Sequence, residues 1–436
     1  MSVPLDRLYN HLDGLCNHDI LIYRFYPHGS KKLENLVSLT DINNLDWILL
    51  LKKPGAICHD QEPLFFDQYS KDDILDYFIR DQPSIATDPY LNPLVKASIN
   101  SQHIRAATAA RHNVYDKTLL IHSEKNSNNL ALYENVGFVG VYWWAHAAIA
   151  IDWYRYAQHD VELSPNFDLV KKDFLIYNRA WSGTREYRLK FTECIVQSAL
   201  TEQCLTTFNI ECESGHYRDF VPKNTAFKIQ HTNLENYFGP CLANSDASAD
   251  YNNQDYQSTA IEVVLETLFD DTRWHLTEKS LRPIACGRPF ILAATPGSLE
   301  YLKSYGFKTF DGLINEQYDT FQDPVKRLKA ICDEMKRLSI LPVYQKHQLW
   351  KQLYKIADYN KKLFFSGAWQ QSIFDEFVTN LTRQLTELEQ FKTGQHWRTL
   401  RDAWVADSQK LKLTNSWLIK SMHHQADVEK LFNQYP

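Results

Sequence analysis

Short apolar runs rich in β-branched residues alternate with stretches of helical period along most of the chain, and this alternation is what most constrains the fold. It indicates strands joined through helices, a parallel α/β architecture. The first expected strands are "DILIYRF" (19–25), "DWILLL" (46–51), "GAICHD" (55–60) and "KTLLIHS" (117–123). "SKDDILDYFI" (70–79) and "LNPLVKASINSQHIRAA" (91–107) read as helices between them, and "VYWWAHAAIAIDWYRYAQHD" (141–160) as one long, mostly buried helix. The pattern breaks near Pro165, and a second alternation begins.

Its expected strands are "DFLIYN" (173–178), "CLTTFN" (204–209), "AFKIQ" (226–230), "AIEVVLETLF" (260–269) and "RPFILAA" (288–294). "TREYRLKFTECIVQSAL" (184–200) reads as a helix, and the polar stretch "ANSDASADYNNQDYQS" (243–258) as a surface loop. From about Asp323 the strands stop and helical patterns run to the end. The expectation is two Rossmann-like domains, 1–165 and 166–340, with C-terminal helices over 341–436 that are free to cross back to the first domain. Open α/β sheets bind ligands at the carboxyl ends of their strands, so two such sheets facing each other make a cleft for two substrates.

Composition narrows the function. A chain of 436 residues exceeds one core, and 44% hydrophobic with 23% charged residues is the content of an ordinary globular protein. No apolar run approaches the roughly 20 residues of a membrane-spanning helix. The N-terminal residues, Met1 to Asp19, lack the apolar centre of a signal peptide. Eight cysteines without a CxxC pair suggest neither a zinc site nor a disulfide framework. These features predict a reduced, cytoplasmic protein. A net charge of −6 argues against a large nucleic-acid footprint while leaving room for a local basic cleft. GxGxxG, GxxxxGK[ST], HExxH and GxSxG are all missing, so phosphate is not cradled on a glycine-rich loop.

The segment "WHLTEKSLRPIACGRPFILAA" (274–294) sets a polar triplet at the joint between two buried elements. Thr277 suits a helix N-cap, Glu278 and Lys279 fall in the first turn, and Gly287 suits the position just past the helix end. Free amides and the dipole at a helix N-terminus attract anions, and Lys279 adds a full charge. The site therefore suits a diphosphate. Glu278 can accept from ribose hydroxyls, and Glu266, at the end of the preceding strand, from sugar hydroxyls. A plain capping arrangement with a solvated lysine is the competing reading of the same spacing.

"LTEKSLRPIACGRPFI…GSLEYLKSYGFKTFDGLI" resembles the donor-side motif of nucleotide-sugar glycosyltransferases of the GT-B type, closest to the α-1,3-fucosyltransferase-like group with its TEK segment. A phage-type set resembling it pairs this motif with an Asp-Gln-Glu-Pro segment, and this chain has "CHDQEPLFF" at 58–66. "FLIYNRAWSGTREYRLKF" (174–191) resembles the start of the second domain, where arginines face the donor phosphates. The resemblance covers residues 55–65 and 173–315, and is specific at TEK. It implies that Lys279 binds the donor diphosphate and Glu278 the ribose. It further implies that Arg185 or Arg188 neutralises the leaving phosphate, with Asn178 and Arg179 near the cleft. A surface arginine is the other reading of Arg188. The first half departs from fucosyltransferases, so the sugar and acceptor do not transfer.

An inverting transferase needs a base for the attacking hydroxyl. "GAIC" reads as a strand, so His59, Asp60 and Glu62 follow at its carboxyl end. Asp60 is favoured as base, with Glu62 orienting the acceptor or sugar; turn residues are the alternative for both. No DxD triplet occurs, which fits a metal-independent enzyme without cofactor, the nucleotide-sugar being co-substrate. His423 and His424 read as surface residues. The expected partners are a nucleotide-sugar donor and an acceptor that is a saccharide or, by the phage-like motifs, a hydroxymethylated DNA base flipped into the cleft in the host cytoplasm. "FKTGQHWRTLRDAW" (391–404) can touch a phosphate backbone or be a solvated helix face. A non-catalytic sugar- or nucleic-acid-binding module on the same fold is the alternative function.

Overall fold

The computed structural model describes residues 118–127, 138–212, 215–230, 233–238 and 250–392, together with the strands at 21–25 and 55–59. The chain divides into two compact units: Met1–Ser2 with His146–Ser372, and Val3–Ala145 with Ile373–Pro436.

The unit that begins at Val3 holds a four-stranded parallel sheet, β1 (Leu21–Phe25), β2 (Gly55–His59), β3 (Thr118–His122) and β4 (Phe138–Tyr142), ordered as numbered. The register pairs Phe25 with His59 and His122 with Tyr142, so the carboxyl ends share one edge. Of the expected elements, the strand at 46–51 and the helices at 70–79 and 91–107 lie outside the described residues. The long helix expected over 141–160 is corrected. Val139 and Val141 belong to β4, and the helix α1 spans only Ala145–Trp153, followed by a 3-10 turn at Arg155–Gln158. The valines favour a strand, and the alanines from Ala145 to Ala150 supply the helix propensity. Further along, Asn380 donates to the Tyr142 carbonyl at 3.1 Å and Phe377 packs on Trp143, with ring centroids 4.9 Å apart.

The other unit holds β5 (Lys172–Asn178), β6 (Cys204–Phe208), a small antiparallel hairpin of β7 (Glu211–Cys212) and β8 (Gly215–His216), then β9 (Thr259–Leu265) and β10 (Phe290–Ala293). Its main sheet is parallel with the order β10-β9-β5-β6. All seven residues of β9 and all four of β10 are buried, as the near-continuous apolar runs require of strands covered on both faces. The helices are α2 (Tyr187–Gln197), α3 (Asn253–Ser258), α4 (Glu278–Cys286), α5 (Ser298–Ser304), α6 (Pro324–Ser339) and α7 (Val343–Phe364). α8 (Gly367–Lys392) follows.

Two further expectations are corrected. "AFKIQ" is not a strand: Thr225–Phe227 is a 3-10 turn capped by Asn224, and Phe227 is the only fully buried residue of 226–230. With one apolar anchor the segment runs over the surface. The loop at 243–258 ends in a helix, α3, because Asn252 accepts from the amides of Gln254 and Asp255.

β6 lies on one side of β5 and the next strand of the sheet, β9, on the other. The winding reverses between β5 and β9, and open α/β sheets bind ligands in the crevice beyond the carboxyl ends of such strands. β5 ends at Asn178 and β9 at Leu265.

Candidate functional site

Arg188, on α2, staples that crevice. Its guanidinium donates to the Ala180 carbonyl at 2.8 Å, just beyond β5, and to the Leu265 and Glu266 carbonyls at 2.6 and 3.0 Å, at the end of β9. It is 3% exposed. Of the two sequence readings of Arg188, the surface one is corrected by its burial, and its Nη1 and Nη2 atoms are given to backbone carbonyls. Asn178 is fully buried, its amide donating to Thr192 Oγ1 at 2.9 Å and to the Arg188 carbonyl at 3.3 Å. It therefore fixes α2 to the end of β5. Arg179, the next residue, is half-buried and makes no hydrogen bond or ion pair among the described residues. Arg185 closes the 3-10 turn Gly183–Arg185 and is also half-buried.

Glu266 takes a place different from the one expected. Its buried carboxylate accepts from five donors: the amides of Thr267, Thr277 and Ser280 and the hydroxyls of Thr277 and Ser280, all at 2.5–3.2 Å. A carboxylate offers about four lone-pair positions, so nothing is left for a sugar hydroxyl. The helix N-terminus changes accordingly. Thr277 caps α4 as its sequence position predicts, its hydroxyl accepting from the Lys279 amide at 3.3 Å, and Gly287 closes the helix with φ of 66°. The amides of Thr277, Lys279 and Ser280 are thus occupied by side chains of the protein. The group that this helix start leaves part-exposed is the Lys279 side chain.

Lys279 Nζ lies 2.7 Å from Glu278 Oε1 and 3.2 Å from Thr277 Oγ1, with 23% of its side chain exposed. Glu278 is buried, and its other oxygen lies 3.4 Å from Nδ1 of His146 on α1. Burial works to raise the Glu278 pKa, but the Lys279 ammonium and the His146 ring outweigh it and hold the carboxyl well below the usual range. The His146 ring meets that of His275 edge-on at 4.9 Å.

His146 and His275 were not among the sequence candidates. His275 stands two residues before Thr277 and was open to notice; His146 sits in an apolar aromatic run that gives no sign of it. Between α4 and β9, Arg282 pairs with Glu262 at 2.5 Å, and Tyr256 donates to Glu262 at 2.5 Å. Here the signal was an acid in the middle of "AIEVVL", since a charge in a doubly covered strand needs a partner.

In the other unit His59 is the last residue of β2, while Asp60 and Glu62 lie outside the described residues. His122 ends β3; burial lowers its pKa to about 3 despite a hydrogen bond with the Glu124 backbone. Lys125 stands 4.6 Å over the Tyr142 ring.

Comparison with protein-family models, curated proteins and solved structures finds no match to the chain. Among the described residues no helix is long and apolar enough to cross a membrane, and no cluster of three or more His, Cys, Asp or Glu side chains is arranged for a metal ion.

Proposed function

We propose that the chain is a glycosyltransferase that moves a sugar from a nucleotide-sugar donor to an acceptor hydroxyl, with the GT-B arrangement of its two sheets as part of the proposal. The observation that carries the reading is the Lys279 ammonium, oriented by Glu278 and Thr277 yet part-exposed at the start of a helix that follows a switch-point strand. Arg179, half-buried beyond β5, supplies a second cation, and Arg185 a candidate third. In the proposed step the acceptor oxygen attacks the anomeric carbon and the bond to the diphosphate breaks. Its electron pair passes to a phosphate oxygen, where fixed cations stabilise the developing charge. The acceptor proton goes to a carboxylate, assigned to Asp60 with Glu62 orienting. The acceptor is a saccharide or a hydroxymethylated base of phage DNA.

The test is a thermal-shift screen of the protein against nucleoside diphosphates and their sugars, followed by a transfer assay with the best donor. Stabilisation by one nucleotide series and release of its diphosphate support the reading. Binding without turnover indicates a non-catalytic module, and no stabilisation by any nucleotide contradicts the proposal.

A further inference from the structure

We infer that Cys194 and Cys332 form a thiol pair that a hydroperoxide closes into a disulfide across α2 and α6, with Cys194 as the attacking sulfur and Cys332 as the resolving one. Neither residue has a part in the donor-site reading.

Both cysteines are free thiols in the same compact unit. Cys194 lies in the last turn of α2 and is half-buried. Cys332 lies in the middle of α6, which packs on α2, and is 0% exposed. The two thiols hydrogen-bond to each other, and Cys194 Sγ also lies 3.9 Å from the Ser198 hydroxyl. Disulfide formation needs two sulfurs side by side, with the attacking one reachable from solvent. This pair divides those tasks: a reagent in solution meets Cys194, and only Cys194 meets Cys332.

The hydrogen bond from Cys332 holds the Cys194 thiol below its usual range, although burial works to raise it. Burial and the same bond push the Cys332 thiol up. On the facing turn of α6, Lys329 favours the Cys194 thiolate and Asp333 opposes it. Thiolate character thus gathers on the part-exposed sulfur, where a redox-sensitive cysteine needs it. Cys204, which opens β6, is the third thiol nearby, but it is buried, and burial pushes its pKa up.

In the first step the Cys194 thiolate attacks one oxygen of the hydroperoxide and the O–O bond breaks. The other oxygen leaves with the electron pair and takes the proton that Cys194 gave up. Cys194 is then a sulfenic acid. The Cys332 sulfur attacks it, the S–S bond forms, the S–O bond breaks, and the departing hydroxide takes the Cys332 proton as water. Two thiols are oxidised and one hydroperoxide is reduced.

The test treats the folded full chain with a small excess of hydrogen peroxide, then alkylates it in denaturant and maps the peptides by mass spectrometry. Cleavage after Glu193, Glu202 and Glu211 puts Cys194 and Cys204 in separate peptides. The expected product is the Cys194 peptide linked to the Cys332 peptide and separated again by dithiothreitol. Cys332→Ser should stop at a Cys194 sulfenic acid that dimedone traps, and Cys194→Ser should leave Cys332 a free thiol. The wild-type map decides even if a variant does not fold. A link from Cys332 to Cys204, oxidation of Cys194 without a link, or two unchanged thiols overturns the inference and leaves the donor site standing.

Discussion

Ser280 gives both its amide and its hydroxyl to the Glu266 carboxylate, at 3.2 and 2.5 Å. With Thr277 donating twice to the same group, the end of β9 and the first turn of α4 become one fixed piece. Lys279 is carried on that turn, so the position of the ammonium is set by a carboxylate it does not touch.

Glu266→Gln should therefore act on stability. The amide nitrogen would meet donors where the carboxylate met them with oxygen, at a cost of about 3–5 kcal/mol for a broken buried network. Melting of the protein should fall by roughly 10 °C or more. A variant that melts like the parent but binds its sugar weakly would return Glu266 to the role first read from the sequence.

Arg188→Lys tests the staple. A lysine keeps the charge but lacks the planar fork that spans Ala180, Leu265 and Glu266. A loss of about 2–4 kcal/mol in urea unfolding is expected. Donor affinity at temperatures where the variant stays folded should fall less than in Lys279→Ala. Weak donor binding without lost stability would mean that Arg188 meets the phosphate.

Two acids on the turn before α6 give a pH signature. Burial pushes Glu316 from 4.5 up to about 7 and Asp319 from 3.8 up to about 6. The folded protein holds these protons more tightly than the unfolded chain, so their contribution is complete below about pH 4 and is lost as pH rises through 6 to 7. Glu316→Gln keeps an acceptor for the Phe310 amide and removes the titration. It should match the parent near pH 4 and exceed it by about 1–2 kcal/mol at pH 8, a figure reduced because Glu316 is only half-buried. Parallel pH–stability curves would contradict this.

The parts of the molecule legible in the sequence are those governed by local rules. The apolar runs became β5, β9 and β10, and Thr277 and Gly287 bound α4 where capping chemistry puts them. What escaped depends on partners distant in sequence. Glu266 and Arg188 have the residue types of a binding site, and only tertiary contact shows that their hydrogen-bonding capacity is spent inside the protein. "AFKIQ" fits a strand in isolation, but has too little apolar surface to join the sheet. β4 was hidden because Trp143 and Trp144 join its valines to the helix without a break in hydrophobicity.

The proposed base is testable by substitution alone. Asp60→Asn should lower turnover roughly a hundredfold or more with donor affinity retained, and Glu62→Gln should lower it less. Parent-like rates in both variants would remove the assignment.

The account turns most directly on the affinity of Lys279→Ala for the nucleoside diphosphate that stabilises the parent, measured by calorimetry. Loss of a charged contact to phosphate predicts binding about 10–100-fold weaker at temperatures where the variant stays folded, with turnover falling alongside; melting falls too, because the buried Glu278 loses the ammonium 2.7 Å from it. Unchanged affinity and rate would show that Thr277, Glu278 and Lys279 only cap a helix, and the proposed function would fall with them.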